Sequence, residues 1–405
     1  MSEFVRIIDP SGKTLRNDLY NSPPDAVSYI IFKDGGLIKA KNGRTGQIEF
    51  SGKDAATVIQ SALNALTPNR TWKETVRLKG VFEISDPIYL PSYAVLEGPA
   101  VIRQSDGANI DKLIRGYGIT QSEIRNLTVD YNHANNPESK EGMYIGEQSA
   151  HVSIVNCTFK HARGFAIHFG GVPDKRNYYI KVLNNRIIDP VHPTLDMLVV
   201  VSDGGLIAHN VVLQQDANMA IVPFESYYIN VIHNFVETTG AIGIAPMSCG
   251  FSIIADNIVN AMNGVGFQIA TEHDNPNPTI STRNLLFGNV VNNAYVGFRL
   301  FETQNDVIQN NTISYSDNGF EFPEGNPPAT GMIIRDNRLI DVNHPVINPV
   351  GADLTGVFMF NVGYPTENRG TAAFSGDGTT TDFSLGAHGL AITCLLYTSP
   401  SPRDS

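Results

Sequence analysis

The sequence contains little cysteine and no long apolar run. Its three cysteines, Cys157, Cys249 and Cys394, form neither a disulfide framework nor the spacing of a zinc site, so we expect neither. No segment is long and apolar enough to cross a membrane, and we expect no membrane partner. The start, MSEFVRIIDP, lacks the basic and then apolar segments of a signal peptide, which indicates an intracellular or viral chain or a leader outside this sequence.

Charged residues are also scarce, at 17% of the chain, and acidic ones predominate. The net charge of -11 argues against a nucleic-acid partner, because a phosphate backbone selects basic surfaces. This charge is compatible with a neutral glycan. A polyanionic glycan would need local Arg, Lys or a bound cation to offset it.

Glycine and proline are plentiful and spread along the chain, with 36 and 23 copies, and asparagine is abundant. Residues typical of helices are scarce. This composition predicts many short strands joined by tight turns.

Two elements are predicted near the N-terminus. The stretch 27–50 alternates in polarity, and Asp34-Gly35-Gly36 and Asn42-Gly43 are hairpin turn signals, so residues 1–50 should form a β-hairpin extension. Residues 54–66 have one apolar helical face and an N-cap candidate in Ser51 or Asp54. A helix there would cover the open end of a stacked sheet.

The main signal is a repeat. An asparagine follows a short apolar run at intervals of about two to three dozen residues, as in a solenoid whose insertions form loops. Identical turns stacked about 4.8 Å apart can form an amide ladder. We therefore predict an all-β fold, a parallel β-helix, over residues 51–365. The repeated asparagines are Asn126, Asn156, Asn185, Asn210, Asn234, Asn257, Asn289, Asn311, Asn337 and Asn361.

Three features together resemble the pectin-lyase-like right-handed β-helix superfamily: the segment DAATVIQSALNAL, the segment TVRLKGVFEISDPIYLPSYAVLEGPA (75–100), and the asparagine-centred rungs. The resemblance covers roughly residues 50 to 361. It implies a right-handed coil preceded by a capping helix. The members of this superfamily are mostly polysaccharide lyases, glycoside hydrolases, epimerases and phage tailspikes, so the resemblance implies a protein of one of these kinds. The motifs of the polygalacturonases and of the commonest pectate lyases are absent. One scaffold carries many chemistries, so the branch stays open.

Candidate site residues come from aligning the second strand of each rung on an inward apolar residue. The residue after it should point outward, because side chains alternate faces along a strand. The inward residues used are Ile145, Ile167, Val199, Ile221, Ile244, Phe267, Phe298 and Phe320.

This alignment places acidic residues on adjacent rungs near the strand ends. Asp203 would stack on Glu225, and Glu302 on Glu324. Stacked carboxylates repel, which separates their pKa values into a proton donor and a nucleophile or base, as glycosidic cleavage requires. These four residues are the predicted catalytic set.

Other outward residues are predicted to bind substrate. His168, Gln268, Arg299 and Glu321 lie in the outward column, although a salt bridge from Arg299 to an acidic neighbour is an alternative. Tyrosine and phenylalanine rings can stack on sugar faces. The aromatic candidates are Tyr144, Phe224 and Tyr295.

No cofactor is expected, except that a lyase could bind Ca²⁺ near Glu272 and Asp274.

Three functions remain open at this stage. The first is a glycoside hydrolase that uses paired carboxylates, with Asp203 and Glu225 preferred. The second is a polysaccharide lyase or epimerase that uses Arg299 or His168 as the base, with Ca²⁺ as an optional aid. The third is a non-catalytic glycan-binding or structural β-helix. All three predict a polysaccharide partner and an extracellular, virion or cell-surface location, with a trimer or a monomer as the assembly.

The C-terminal end reads differently from the rest. Residues 366–393 alternate Thr and Ser with Gly turns, which predicts the truncated start of a β-sandwich-like module. Residues 394–405 (CLLYTSPSPRDS) resemble translated sequencing-adapter sequence, and we expect them to be an artefact rather than part of the fold.

Overall fold

A computed structural model describes residues 27–138, 141–162, 164–188, 195–213, 218–271, 280–323 and 329–347, together with the short strands Phe358–Met359, Phe383–Ser384 and Ala391–Ile392. The chain is a right-handed parallel β-helix, as predicted. No helix in these ranges is long and apolar enough to span a membrane.

The N-terminal extension begins with three antiparallel strands, Tyr29–Asp34, Leu37–Asn42 and Ile48–Gly52. The first turn is made by Gly35 and Gly36, both at positive φ, which glycine adopts without steric cost. The predicted hairpin is therefore confirmed.

The capping helix spans Ala55–Asn64. Its N-cap is Asp54, whose side chain accepts a hydrogen bond from the Thr57 backbone N–H at 2.8 Å. The apolar face, which includes Val58, Ile59 and Leu63, is buried in the main core. The helix thus closes the first coil against solvent.

The remaining strands form three parallel sheets, here called sheets I, II and III, through which each coil passes in turn. Sheet I contains Ile88–Tyr89, Lys112–Tyr117, Glu141–Gly146, Phe165–Gly170, Leu195–Val200, Met219–Phe224, Ile242–Ile244, Val265–Ala270 and Val296–Phe301. Sheet II contains Ser153–Val155, Asn177–Leu183, Ser202–Ala208, Tyr227–Ile232, Ile253–Ala255, Leu285–Phe287, Val307–Gln309, Ile333–Arg335 and Phe358–Met359. Sheet III contains Thr158–Lys160, Arg186–Ile188, Val211–Leu213, Phe235–Thr239, Ile258–Met262 and Val290–Asn292.

Some strands continue around a corner, and a few lie outside the three sheets. Glu74–Ile84, Ala94–Gln104 and Glu123–Asp130 run from sheet II into sheet III, and Thr312–Glu321 and Arg338–Ile347 run from sheet III into sheet I. Ser281–Thr282 pairs with Thr303–Gln304, Phe383–Ser384 pairs with Ala391–Ile392, and a short 3₁₀ turn spans His133–Asn135.

The core is a continuous column of apolar side chains inside the coil. In sheet I, Phe267, Phe298 and Phe320 lie on successive rungs, and their rings stack with centroids 5.0 and 5.5 Å apart. The residue before each of these is a glycine. A Cβ at Gly266 would lie 2.6 Å from the Val291 side chain, so this corner packs too closely for any other residue.

The asparagine ladder forms at the corner between sheets II and III. Each backbone N–H and side-chain Nδ2 donates to the Oδ1 of the asparagine on the next rung, and the side-chain bonds measure 2.9–3.1 Å. Side-chain Nδ2 atoms also donate to carbonyls of the preceding rung, for example from Asn257 to Val231 at 2.8 Å. Every amide is thereby satisfied away from water, which a buried polar group requires. The ladder consists of Asn185, Asn210, Asn234, Asn257, Asn289, Asn311 and Asn337.

Two predicted members of the ladder are offset by one residue. Asn126 and Asn156 have positive φ, are exposed, and occupy the turn position that Asn184 takes on the next rung. At the ladder position itself stands Cys157, whose N–H donates to Asn185 Oδ1 at 2.9 Å. The reason is that Asn suits both the left-handed turn and the amide ladder, so spacing alone does not separate the two roles.

Several other predictions concern the C-terminal end. Asn361, the predicted module at 366–393 and the predicted artefact at 394–405 lie outside the described residues, apart from the two short antiparallel strands. Of the cysteines, Cys157 and Cys249 are free and buried, and burial raises the pKa of each thiol to about 12.

Candidate functional site

The outer face of sheet I carries the candidate site, and its register follows from the strand pairing. Tyr144 aligns with Arg115 on one side and His168 on the other, and farther along Gln268 aligns with Arg299 and then Glu321. The outward column is Tyr89, Arg115, Tyr144, His168, Leu198, Val222, Ala245, Gln268, Arg299, Glu321 and Ile347.

The sequence alignment of this sheet was wrong on two rungs. Ile167 pairs with Met143 and Met197, not with Ile145 and Val199. Both errors are shifts of two residues. A two-residue shift leaves the same side chains facing inward, so the apolar pattern does not detect it.

This shift overturns the stacking of Asp203 on Glu225. Asp203 aligns with Tyr178 and Tyr227 in sheet II, one corner beyond sheet I. Glu225 follows Phe224, which pairs with Val200, so its register partner is Val201. The pair is therefore not a stacked carboxylate dyad, and a catalytic role for either residue loses that support.

Asp203 has a different partner, Arg176. The Arg176 guanidinium donates from Nε and Nη2 to the two Asp203 carboxylate oxygens, both at 2.7 Å, and Nη2 also donates to the Glu225 carbonyl at 3.0 Å. The same guanidinium lies 5.1 Å from the Tyr227 ring centroid. A bidentate ion pair of this kind anchors the corner between sheets I and II.

The second predicted acidic pair is described only in part. Glu302 lies at the same corner as Glu225, at φ 47°, and its carbonyl accepts a short hydrogen bond from the Thr271 hydroxyl. Glu324 lies outside the described residues, as do Glu272 and Asp274 of the proposed calcium site. Their roles stay predictions.

Near the C-terminal end of sheet I, Arg299 forms an ion pair. Its Nε lies 2.5 Å from Glu321 Oε2, and Gln268 on the preceding rung is buried. The salt-bridge alternative for Arg299 is therefore confirmed. A guanidinium paired with a carboxylate is poorly suited to act as a base.

The middle of the outer face is apolar and closed. Leu198, Val222, Ala245 and Met247 are between 0 and 8% exposed, and Phe224 packs against them. The buried side chains of these rungs therefore do not form an open floor for a glycan chain. The third aromatic candidate, Tyr295, is exposed but lies at the corner that precedes sheet I.

The N-terminal rungs bring four polar side chains together. Glu141 Oε2 lies 3.2 Å from His168 Nδ1 and 3.6 Å from Lys112 Nζ. The Lys112 ammonium lies 4.1 Å from the Tyr144 ring centroid, and the Tyr144 and His168 rings meet edge to face at 5.0 Å. We call Lys112, Glu141, Tyr144 and His168 the sheet I cluster.

Local strand geometry explains why the cluster forms. Positions 142 and 143 are both buried, so Glu141 and Tyr144 lie on either side of them and both face outward. Lys112 is the register partner of Glu141, and His168 is the partner of Tyr144. Three successive rungs thus contribute to one surface.

The electrostatics of the cluster assign different roles to its members. Burial raises the pKa of Glu141, but the hydrogen bond and charge of His168 and the charge of Lys112 outweigh it, so the net pKa is lowered. Burial and then the Glu141 charge raise the pKa of Tyr144. Glu141 is therefore an anion beside the His168 ring, and the Tyr144 hydroxyl keeps its proton and donates a hydrogen bond to the Gly170 carbonyl at 3.3 Å.

Sequence reasoning identified His168 and Tyr144 but missed Lys112, Glu141 and Arg176. The sequence does contain a signal for Lys112 and Glu141. Lys112 lies three residues before the outward residue Arg115, and Glu141 lies three residues before the outward residue Tyr144. It could be read only with the correct register, which the two-residue shift concealed. Arg176 lies in an insertion between strands, where no periodic pattern applies.

Comparison with known proteins gives the following relationships. A family model described as periplasmic copper-binding protein (NosD) matches residues 176–348, which is less than half of the chain. No curated protein matches the chain by sequence.

Solved structures share the fold at low identity. The catalytic domain of a GH87 alpha-1,3-glucanase in complex with tetrasaccharides is 13% identical, with a TM-score of 0.47 over 76% of this chain and 67% of that one. The A-module of a mannuronan C-5 epimerase from Azotobacter vinelandii is 16% identical, with a TM-score of 0.45 over 77% and 95%. PfbA, a surface adhesin of Streptococcus pneumoniae, is 14% identical, with a TM-score of 0.45 over 76% and 90%.

The copper-binding description was compared with the side chains present. Within the described part of the chain, no three residues of the His, Cys, Asp or Glu types are grouped as metal ligands. Cys249, the cysteine inside the matched range, has a thiol pKa raised to about 12, which disfavours the thiolate that soft metals select. These residues do not fit a copper centre, and we derive no copper chemistry from the match.

Proposed function

We propose that this chain is a polysaccharide-modifying enzyme that removes the proton next to the carboxylate of a uronic acid, as a lyase or an epimerase does. The observation that carries the proposal is the sheet I cluster. It combines a histidine oriented by a carboxylate, a protonated tyrosine and a lysine on one outward surface.

The roles follow from the contacts. Glu141 engages His168 through Nδ1, so in the neutral form of the ring Nε2 is the nitrogen that accepts the substrate proton. The electron pair passes into the uronate carboxylate, whose charge Lys112 and the neighbouring Arg115 offset. In elimination the bond to the glycosidic oxygen then breaks, and Tyr144 gives that oxygen its proton. Return of a proton to the opposite face of the carbon gives the epimer instead.

This chemistry has more support in the structure than paired-carboxylate hydrolysis. Hydrolysis needs a carboxylic acid that is protonated at working pH. Glu141 has a lowered pKa, and Asp203 is held by Arg176. The relatives include hydrolases, an epimerase and an adhesin, which is consistent with a polysaccharide partner and with an extracellular or surface location.

To test this proposal, the protein is incubated with polygalacturonate, polymannuronate or a soluble β-glucan. Ultraviolet absorbance reports unsaturated lyase products, deuterium uptake from D₂O reports epimerisation, and a reducing-end assay reports chain cleavage. We expect one of the first two signals on a uronate polymer and none on the glucan. Reducing ends without ultraviolet absorbance would favour the hydrolase, and no product on any polymer would favour a non-catalytic glycan-binding protein.

A matched pair of variants ties the activity to the cluster. His168→Gln should abolish the product, whereas His161→Gln should leave it unchanged. His161 also forms a histidine–carboxylate pair, with Asp130 at 2.8 Å, but it lies at the end of sheet III on another face. Equal activity of the two variants would reject the cluster as the active site.

A further inference from the structure

A second line of exposed side chains runs along the coil at the corner where sheet II begins. Its residues follow one another from rung to rung, and all have positive φ, so each side chain leaves the backbone in the same direction. Backbone N–H groups of this line donate to carbonyls of the next rung, as from Tyr228 to Gly250 at 3.0 Å. The line comprises Gln121, His151, Tyr179, Gly204, Tyr228, Phe251, Arg283, Asn305 and Gly331.

The aromatic members form two stacks. His151 and Tyr179 stack with ring centroids 4.9 Å apart and planes 16° from parallel. Tyr228 and Phe251 stack at 5.4 Å and 21°, and the Arg283 guanidinium lies 5.4 Å from the Phe251 ring centroid. Because the rings lie face to face along the coil axis, only the ends of each stack present a free face.

The two stacks end on either side of Gly204, which has no side chain. The strand register places Gly204 directly between Tyr179 and Tyr228, and both tyrosines are 58% exposed. Two rung spacings separate their backbones by about 9.6 Å. A Cβ at Gly204 would lie 3.2 Å from Tyr179 Cδ1, so it is the glycine that keeps the tyrosine face bare.

We propose that the space over Gly204 is a sugar-binding slot in which one pyranose ring of a polysaccharide lies between Tyr179 and Tyr228. Carbon atoms in contact are roughly 3.5–4.0 Å apart, so one sugar ring with a contact on each face needs about 7–8 Å plus its own pucker, which is within the backbone separation of about 9.6 Å. The faces of a pyranose are rich in C–H groups and suit aromatic faces.

The edge of the slot supplies polar groups. Asp203 precedes Gly204 in the chain, and its carboxylate is paired with Arg176, whose guanidinium lies over the ring of Tyr227, so residues that adjoin the slot in the chain carry an acceptor and a donor. Sugar hydroxyls form hydrogen bonds with such groups, whereas a purely apolar ligand would leave these protein groups without a hydrogen-bond partner from the ligand. Tyr179 follows His168 on the same coil, and Gly204 and Tyr228 lie on the next two coils, so the slot is one corner beyond the sheet I cluster and would hold the polymer outside the reacting subsite. The identity of the ligand rests on the proposed function, but the geometry of the slot does not.

The test uses two variants that change the slot in opposite ways, and one control. Gly204→Tyr fills the slot and continues the stack, in a backbone conformation that Tyr179 and Tyr228 already adopt. Tyr228→Ala removes one wall. Tyr315→Ala is the control, because Tyr315 is also at positive φ and 63% exposed but lies beyond this line, in the strand that leaves sheet III. Melting temperatures verify that each variant folds.

Binding is measured by retardation in native gels cast with polygalacturonate, polymannuronate or a soluble β-glucan. We expect at least one polymer to retard the wild type and the control equally. Both slot variants should need at least about tenfold more of that polymer in the gel to reach the same retardation as the wild type. Unchanged retardation of Gly204→Tyr, or a wild type that none of the three polymers retards, would overturn the slot.

A second measurement separates this inference from the proposed enzyme activity. Turnover of a trisaccharide of the active polymer should stay within about twofold of wild type in Gly204→Tyr, since so short a substrate does not reach from the cluster around the corner. Lost gel retardation in Gly204→Tyr together with full activity in His168→Gln would refute the enzyme site alone. The reverse result would refute the slot alone.

Discussion

Polar side chains inside the coil and polar side chains on the outer face of sheet I behave in opposite ways. The interior ladder repeats one residue type on successive rungs, and each amide bonds its neighbours above and below. The outer column changes chemistry from rung to rung, from Tyr144 and His168 through apolar residues to Arg299 and Glu321. Repetition along the axis therefore marks side chains that stabilise the coil, and departures from repetition mark candidates for function.

The largest expected effect concerns the outer face. Glu141→Gln should lower kcat on the uronate polymer on the order of 10²-fold, because the neutral amide no longer fixes the orientation and charge of His168. The melting temperature should change little, since the carboxylate lies outside the core. The measurement is steady-state kinetics beside thermal unfolding. A variant that loses stability but keeps kcat would place Glu141 with the structural residues instead.

The next effect concerns an acid inside the coil. Asp306 is fully buried, and burial raises its pKa to about 6 despite hydrogen bonds from Thr303 and Asn284. The folded chain therefore favours the protonated acid. Its contribution to stability is present below the ordinary carboxyl pKa, 3.8, and is lost as the pH rises through about 6.

Asp306→Asn tests that sign. The amide keeps the shape and removes the titration, so the variant should gain about 2 kcal/mol over wild type between pH 4 and pH 8. Denaturant unfolding across this pH range measures the difference. Asp336→Asn, at an exposed turn, is the control and should show no such trend. A flat difference for Asp306→Asn would mean that the buried group does not titrate in this window.

A smaller effect concerns the ladder itself. Asn257→Ala removes the acceptor for the Asn234 backbone N–H and leaves the Val231 carbonyl unpaired, which should cost about 2 kcal/mol in the free energy of unfolding. Asn156→Ala should cost under about 0.5 kcal/mol, because Asn156 is exposed and its side chain bonds only to the exposed Asn126. Chemical denaturation compares the two. Equal losses would contradict the distinction between ladder and turn asparagines.

The smallest effect distinguishes two acid–base pairs on the same face. Arg299→Met should change kcat less than about threefold, because Arg299 is paired with Glu321 and does not belong to the sheet I cluster. Kinetics on the uronate polymer provide the measurement. A loss comparable to that of Glu141→Gln would restore Arg299 as the candidate base.

Much of the fold followed from local sequence patterns. The capping helix, the glycine turn at residues 35 and 36, and the asparagine rungs each depend on short-range propensity and periodicity, which a linear sequence contains. The site followed only in part. His168 was found from the alternation of its strand and Tyr144 only as an aromatic residue able to stack on a sugar, whereas their partners Glu141 and Lys112 were not found.

The sequence by itself determined that the chain coils, because a repeated asparagine and an alternating apolar pattern satisfy buried backbone and core together in only one kind of stack. Tertiary structure alone decided which residues of different rungs are neighbours. A shift of two residues leaves every side chain on its own face, so apolar periodicity does not distinguish the two registers. The hydrogen-bonded pairing of strands fixed the register, separated Asp203 from Glu225, and brought Glu141 to His168.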